Sequence, residues 1–498
     1  MSISSAPAVM RGPVTPKTKS LAACLSAVIA CAWFPRTVAA QPSPPADATA
    51  TEGNLAADAT RDYFVAPRSW GTKRDTEPPP YVRNLSQIGV ESLRDSTWLD
   101  VGLDQRIRYE HRLNDFTRDD AVRDQPLLLR HRIFLALKEA VDPLRFTFEL
   151  EDARFFNSRF EASDAEVNEL EPIQMFAELH FRDALGQRRP LAFKAGRMAF
   201  ELVDRRLVGR NEWRGTTNTF DGFRVQLGQL RNDWQIDLLA VQPVTRLLHD
   251  LDGRDSGRGL LAAVGDWRRW APFATLQPYY IALLQRRDDK AERVERVIHT
   301  MGLRAHGVVE QTALDYDLQG IAQLGRSGAE RHLALATTFE AGYTFVDFAR
   351  TRLAALGVYA SGDDDPGDGE SGRFERLFGF VRPMSDNIYV QMENLVMAKA
   401  VAATKPHERL GLATGYARYW IASATDRWNN AGLRDMTGAS GDHLGDEVLL
   451  RAHVKALSRL VVQVGYTYFR PGEFPRTTAG RSQASHFFYT QVLLSAFE

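Results

Sequence analysis

Residues 99–109 read Leu99-Asp100-Val101-Gly102-Leu103-Asp104-Gln105-Arg106-Ile107-Arg108-Tyr109. Apolar residues hold most odd positions, and the even ones carry Asp100, Gly102, Asp104, Arg106 and Arg108. Side chains on an extended strand alternate between its two faces, so this stretch has one apolar and one charged face. The period recurs where Leu144, Phe146, Phe148 and Leu150 oppose Arg145, Thr147, Glu149 and Glu151, again in Phe223–Leu227, and in Leu460–Tyr468. From residue 97 onward about eighteen such segments follow, most of them about 9–12 residues long, which is what a tilted membrane strand requires. Gly, Asp, Asn and Pro clusters separate them.

Alternation alone does not distinguish a soluble sandwich from a membrane barrel, because both have one apolar face. The mid-strand charges do: Arg106, Arg108, Arg145, Glu149, Glu151 and Arg224 are spread along the chain and call for a wet interior, with lipid outside. The expected fold class is therefore all-β, a single transmembrane antiparallel β-barrel of about 18 strands over residues 85–498. Trp98, Tyr109, Trp213, Trp234, Trp267, Tyr279, Tyr280, Tyr343, Tyr466 and Tyr468 lie near segment ends and are candidates for interfacial girdles. The end of the chain, His486–Glu498 (HFFYTQVLLSAFE), resembles the closing strand that outer-membrane proteins present to their assembly machinery, although Glu498 follows the aromatic Phe497. Closure pairs this strand with the first, near residues 97–111, and removes the sheet edges that lipid cannot satisfy.

The amino terminus fits that destination. Residues 1–40 read as an export signal, with Lys17 and Lys19 before the apolar run Leu21–Phe34 and small residues at Val38-Ala39-Ala40, so cleavage is expected after Ala40. Acylation at Cys31 is the competing reading. Both cysteines, Cys24 and Cys31, fall inside this segment, so the mature chain needs no disulfide framework. Residues 41–84 read as a flexible leader or periplasmic segment. Downstream, no run reaches the about 18 apolar residues of a membrane helix.

The 498 residues carry 62 basic and 63 acidic side chains, a formal charge of −1. An apolar content of 44 % with 10 % aromatics excludes a disordered chain. Near-neutral charge argues against coating nucleic acid, and no nucleic-acid partner is expected. Only nine of the basic residues are lysine, leaving 53 arginines. Arginine's planar fork suits bidentate contact with carboxylate, although GC-rich coding also enriches it.

The densest polar stretch runs from Gly196 to Trp213 (GRMAFELVDRRLVGRNEW), followed by Phe220-Asp221-Gly222. With Phe148–Arg154 (FELEDAR), Ala360–Pro366, Leu444–Glu447 and Gly465–Gly472 in the same order, it resembles the alginate export family of Gram-negative outer-membrane barrels, over roughly residues 85–498. That resemblance implies an eighteen-strand barrel with a constricted, positive lumen that passes a polyuronate. By motif position it implies Arg154, Arg197, Arg205, Arg206 and Asp221 as lumen or constriction residues. Strand parity adds Arg106, Arg130, Arg132 and Arg224, and Asp152 is an acidic residue expected to hold the forks in place. The alternative is that these residues are ion pairs bracing the wall.

The expected function is an outer-membrane channel with an arginine-rich lumen that passes an anionic polysaccharide, with a diffusion porin for small anions or sugar acids as the alternative. A catalytic or adhesive barrel is a more distant one. No Gly-x-Ser-x-Gly or His-Glu-x-x-His sequence appears, His111, His131, His180, His299, His306 and His332 are scattered singly, and no enzymatic role or cofactor is expected. The acidic run Asp363–Glu370 (DDDPGDGE) lacks calcium-loop spacing and reads as a solvated loop, so no metal is expected. Expected partners are the anionic substrate, outer-membrane lipid and a periplasmic secretion complex.

Overall fold

The computed structural model describes residues 76–116, 118, 123–270, 273–289, 292–309, 312–380 and 382–497. The export signal with Cys24 and Cys31, most of the leader, and Glu498 lie outside the described residues. Eighteen long strands form the barrel. They are β1 (Leu99–Leu113), β2 (Leu127–Val141), β3 (Leu144–Phe156), β4 (Asn168–Phe181), β5 (Leu191–Met198), β6 (Phe220–Leu227), β7 (Trp234–Thr245), β8 (Arg258–Trp267) and β9 (Thr275–Gln285). The second half comprises β10 (Arg296–Val308), β11 (Leu314–Ser327), β12 (Glu330–Thr344), β13 (Arg352–Ala360), β14 (Leu395–His407), β15 (Leu410–Trp420), β16 (His443–Lys455), β17 (Leu460–Pro471) and β18 (Ser485–Ser495). Each pairs antiparallel with its neighbour in sequence, and β18 closes on β1 from Asp104 opposite Ser495 to Leu113 opposite His486. The first and last strands meet as the alternation predicts, and every barrel edge is paired.

The connections at the end where β1 begins are short, as at 142–143 and 408–409, and those at the other end include 199–219, 361–394 and 421–442. Short turns face the periplasm in such barrels and long loops the exterior. Burial is inverted relative to a soluble protein. On β1, Asp104, Arg106, Arg108 and Glu110 are buried while Ile107 is 40 % exposed. On β12, Leu333, Leu335, Phe339 and Tyr343 are exposed, and Ala334, Ala336, Thr338 and Glu340 are buried. Large apolar side chains pointing outward from almost every strand have only a bilayer to face. Leu303, half-exposed in the middle of β10, is one of them. Leu303→Arg is expected to cost about 2–4 kcal/mol in a membrane, seen as a lower urea midpoint in lipid vesicles, whereas a lumen-facing position would tolerate the charge.

The aromatic expectation holds in part. Trp98, Tyr280 and Tyr343 are exposed on the outside, joined near the short-turn end by Trp270, Phe273 and Phe345. Trp213 and Tyr279 are buried instead: Trp213 belongs to a loop packed against Tyr489, and Tyr279 points inward, where its hydroxyl accepts from Gln319 at 2.8 Å. Nor is the interior uniformly polar. Leu239, Val241, Leu260, Val264, Ile281 and Ile298 belong to one buried apolar cluster inside the wall of β7–β10. Two long loops turn into the barrel and cover it.

Candidate functional site

The first inner loop, 199–219, mixes apolar residues with charges and has neither strand nor helix periodicity. Phe200, Leu202, Val203, Leu207 and Val208 are buried in the interior apolar cluster, with the Phe200 ring 4.8 Å from that of Phe220. The second inner loop, 361–394, contributes Phe374, Leu377, Met384 and Tyr389 to the same cluster. The two join by their backbones: Phe378 N donates to Leu207 O at 2.9 Å, Gly209 N to Phe378 O at 3.2 Å, and Phe380 N to Arg205 O at 2.9 Å. A Cβ on Gly379 would lie 1.8 Å from Arg206 O, so only glycine permits this approach. The lumen is thus crossed by a bridge of two loops with a shared hydrophobic core.

Charged groups fasten the bridge to the wall of β1–β3. Arg106 donates to the carbonyls of Glu212 at 2.7 Å, Trp213 at 3.3 Å and Arg214 at 2.6 Å. The Glu212 carboxylate lies 2.8 Å from Arg132, 3.2 Å from Arg130 and 3.3 Å from Arg210. Burial works against its charge, but these guanidiniums outweigh burial and hold the Glu212 carboxyl well below its ordinary range. Arg132 also reaches Glu151 at 2.8 Å, and Arg210 reaches Glu149 at 3.1 Å. The Trp213 ring lies between Arg108 at 3.9 Å and Arg382 at 3.3 Å, and Arg382 continues to the Tyr489 hydroxyl at 2.8 Å. One aromatic ring therefore ties both loops to both sides of the barrel closure.

Beside this bridge lies a cavity of about 310 Å³ lined by Arg108, Arg112, Arg118, Arg214 and Arg376, with Glu166 the only carboxylate in its described lining. Arg112 is compensated by Glu110 at 2.6 Å, and Arg118 by Glu166 at 2.9 Å. Among the described residues Arg214 and Arg376 have no carboxylate at ion-pair distance; Asp164 and Glu166 act on Arg214, and Glu393 on Arg376, from further away. Burial, then Arg246 and Arg376, push the Arg214 pKa down to about 10, leaving it cationic at neutral pH. An arginine pair without an acid at ion-pair distance in a wet cavity presents donors to a passing anion. A larger hollow of about 940 Å³, lined by Ile236, Pro278, Met301 and Leu303, opens on the lipid face and has no charge to offer a solute.

The ten residues singled out from sequence divide by position. Arg106, Arg130, Arg132 and Arg224, chosen by parity, all point inward and are buried. Arg205 and Arg206 lie on the first inner loop: Arg205 stacks 4.4 Å over Phe380, and Arg206 pairs with Asp204. The other four correct the expectation of a lumen position. Asp152 and Arg154 sit opposite the outward residues His131 and Leu129, and Arg154 pairs with Asp152 at 2.9 Å and Glu169 at 2.6 Å. Arg197 and Asp221, paired at 2.8 Å, share the outward parity of Phe193 and Phe223, which are 44 % and 66 % exposed. On the β3–β6 wall the motif runs across the rim and its charges fall on both faces, so its strand residues do not all reach the lumen. Arg214, Arg376 and Glu212 are not among the ten, because strand parity is silent about a loop, and Trp213 enters only as a girdle candidate. The one available signal was the mixing of Phe, Leu and Val with charges through residues 199–219, unlike the turn clusters elsewhere. The Asp363–Glu370 run lies in the second loop, with Asp364 and Asp365 exposed, and among the described residues no group of metal-ligating side chains converges.

Comparison with known proteins agrees with this geometry. Three solved outer-membrane structures share the fold: Pseudomonas aeruginosa OccK2 (OpdF), at 11 % identity and TM-score 0.55, covering 80 % of this chain and 97 % of that one; Acinetobacter baumannii OccAB3, at 11 % and 0.54, covering 80 % and 98 %; and the outer membrane protein OprD from Pseudomonas aeruginosa, at 12 % and 0.51, covering 79 % and 93 %. Nothing among curated proteins matches the sequence. The family model for alginate export matches residues 97–488, which takes in β1 to β17 and the first four of the eleven residues of the strand that closes the barrel. The chain thus belongs to the alginate export family and is an outer-membrane β-barrel of the channel type.

Proposed function

We propose that this channel passes carboxylated sugars, a polyuronate such as alginate in the first instance, outward through the passage beside the inner loops. The observation that carries this reading is the pair Arg214 and Arg376, with no carboxylate at ion-pair distance among the described residues, in a cavity lined by three further arginines. A polyuronate carries one carboxylate per sugar, so it needs cationic contacts that each release as the chain advances. Passage is passive, with no covalent step and no cofactor, and direction comes from synthesis on the periplasmic side, where a secretion complex hands over the polymer.

A second reading, diffusion of small sugar acids, is favoured by the size of the cavity, about 310 Å³, and by the ion pairs that hold the loops across the lumen. Planar-bilayer recordings separate the two. The expected result is an anion-selective current that both glucuronate and polyuronate block reversibly. Block by glucuronate alone supports the small-acid porin, and a pore indifferent to both overturns the proposal.

A further inference from the structure

Residues 76–84, just before the barrel, form a strap across its periplasmic mouth. Val82–Asn84 pairs antiparallel with the start of β1, Val82 opposite Gly102 and Asn84 opposite Asp100. Tyr81 and Val82 are buried against Phe134 and Ala136, inward residues of β2. The Tyr81 hydroxyl donates to Glu149, the carboxylate that also receives Arg210 of the first inner loop. Strap and bridge therefore share one acceptor.

Glu77 makes the second attachment. Its carboxylate takes both hydrogen bonds of Arg224 Nη1, at 3.1 and 3.0 Å, and lies 3.7 Å from Lys194 Nζ. Lys194 and Arg224 stand directly opposite each other on β5 and β6. Like charges in that position repel unless an anion lies between them. Asp237 compensates Arg224 on its other edge at 2.9 Å and Glu178 stands opposite Lys194 on β4, and Glu77 is the carboxylate that the two cations hold in common. The cations are enclosed and their occupant is not: the Arg224 and Lys194 side chains are 3 % and 12 % exposed, that of Glu77 37 %. Glu77 is thus the most solvent-exposed of the three, the side an incoming anion meets first.

We infer that Lys194 and Arg224 form a carboxylate-binding subsite at the periplasmic mouth, filled in this conformation by the chain's own Glu77, and that an entering uronate displaces Glu77 and with it the strap. The inference rests on the reading of the channel as a uronate conduit, and it makes the strap a competitive occupant of the entry site.

The test is glucuronate binding to the full chain in planar bilayers, read from current block with the sugar on the periplasmic side. Glu77→Gln is expected to bind glucuronate at least tenfold more tightly than wild type. Adding Lys194→Gln is expected to abolish that gain, and Lys194→Arg to restore it. Unchanged block in Glu77→Gln, or a gain that survives Lys194→Gln, overturns the inference. Glu77 lies outside the barrel strands, so if Lys194→Gln does not assemble, the Glu77→Gln comparison decides alone. Failure here with anion selectivity intact leaves the conduit reading standing, whereas loss of both anion preference and uronate block in wild type removes the conduit reading as well.

Discussion

Glu212→Gln is expected to loosen the first inner loop and raise single-channel conductance severalfold. Gln keeps the shape of the side chain and removes only its charge, which is shared by Arg130, Arg132 and Arg210. Each guanidinium keeps a second acid: Asp104 at 3.6 Å for Arg130, Glu151 at 2.8 Å for Arg132, and Glu149 at 3.1 Å for Arg210. The wall should therefore survive while the loop loses its ties to Arg130 and Arg132 and keeps those of Arg210 to Glu149 and of Arg106 to the loop carbonyls. Breaking a buried ion pair from one side costs about 3–5 kcal/mol, and the lower end applies because Glu212 is 24 % exposed. Increased conductance with frequent substates is the expected record. An unchanged, quiet conductance would mean that the apolar cluster of Phe200, Leu202 and Leu207 holds the bridge without the ion pairs.

Arg214→Gln combined with Arg376→Gln is expected to do the opposite: selectivity changes and the fold does not. Among the described residues neither side chain has a carboxylate at ion-pair distance; Asp164 and Glu166 act on Arg214, and Arg376 on Glu393, only from further away. Stability should stay within about 0.5 kcal/mol of wild type. The ratio of anion to cation permeability, taken from the reversal potential in a salt gradient, should fall severalfold toward unity. Block by glucuronate at this cavity should weaken in parallel. A reversal potential equal to that of wild type would place the selectivity elsewhere. Arg132 is the instructive contrast: it is buried and clamped between Glu151 and Glu212, so replacing it would leave the buried Glu151 without its guanidinium and report on folding before selectivity.

This contrast separates arginines that build the constriction from those that face the solute. Arg106, Arg130 and Arg132 are deep in the lumen, yet each is spent on a loop carbonyl or an acid. Arginine content by itself was therefore a weak guide to the solute path. The useful quantity is charge left over after the internal pairs are formed.

Much of the architecture was legible along the chain. Period two in Leu99–Tyr109 and its repeats determined the strands, their number and which charges face inward, because an antiparallel strand offers each residue only two directions. Closure of β18 on β1 followed from the same physics, since a membrane strand cannot leave an edge unpaired. Residues that depart from that regularity were not legible. Whether loop 199–219 lies over the rim or inside the barrel depends on Leu239, Val241 and Leu260, apolar residues on inward positions far along the chain that need a cover. The strap at Tyr81 was read as leader, because its partners Phe134, Glu149 and Arg224 come from three separate strands. The sequence alone thus determined a transmembrane barrel and the sidedness of its strands, through a local two-fold period. Only the tertiary structure decided which arginines remain unpaired, because pairing is settled by loops that cross the lumen and meet acids distant in sequence.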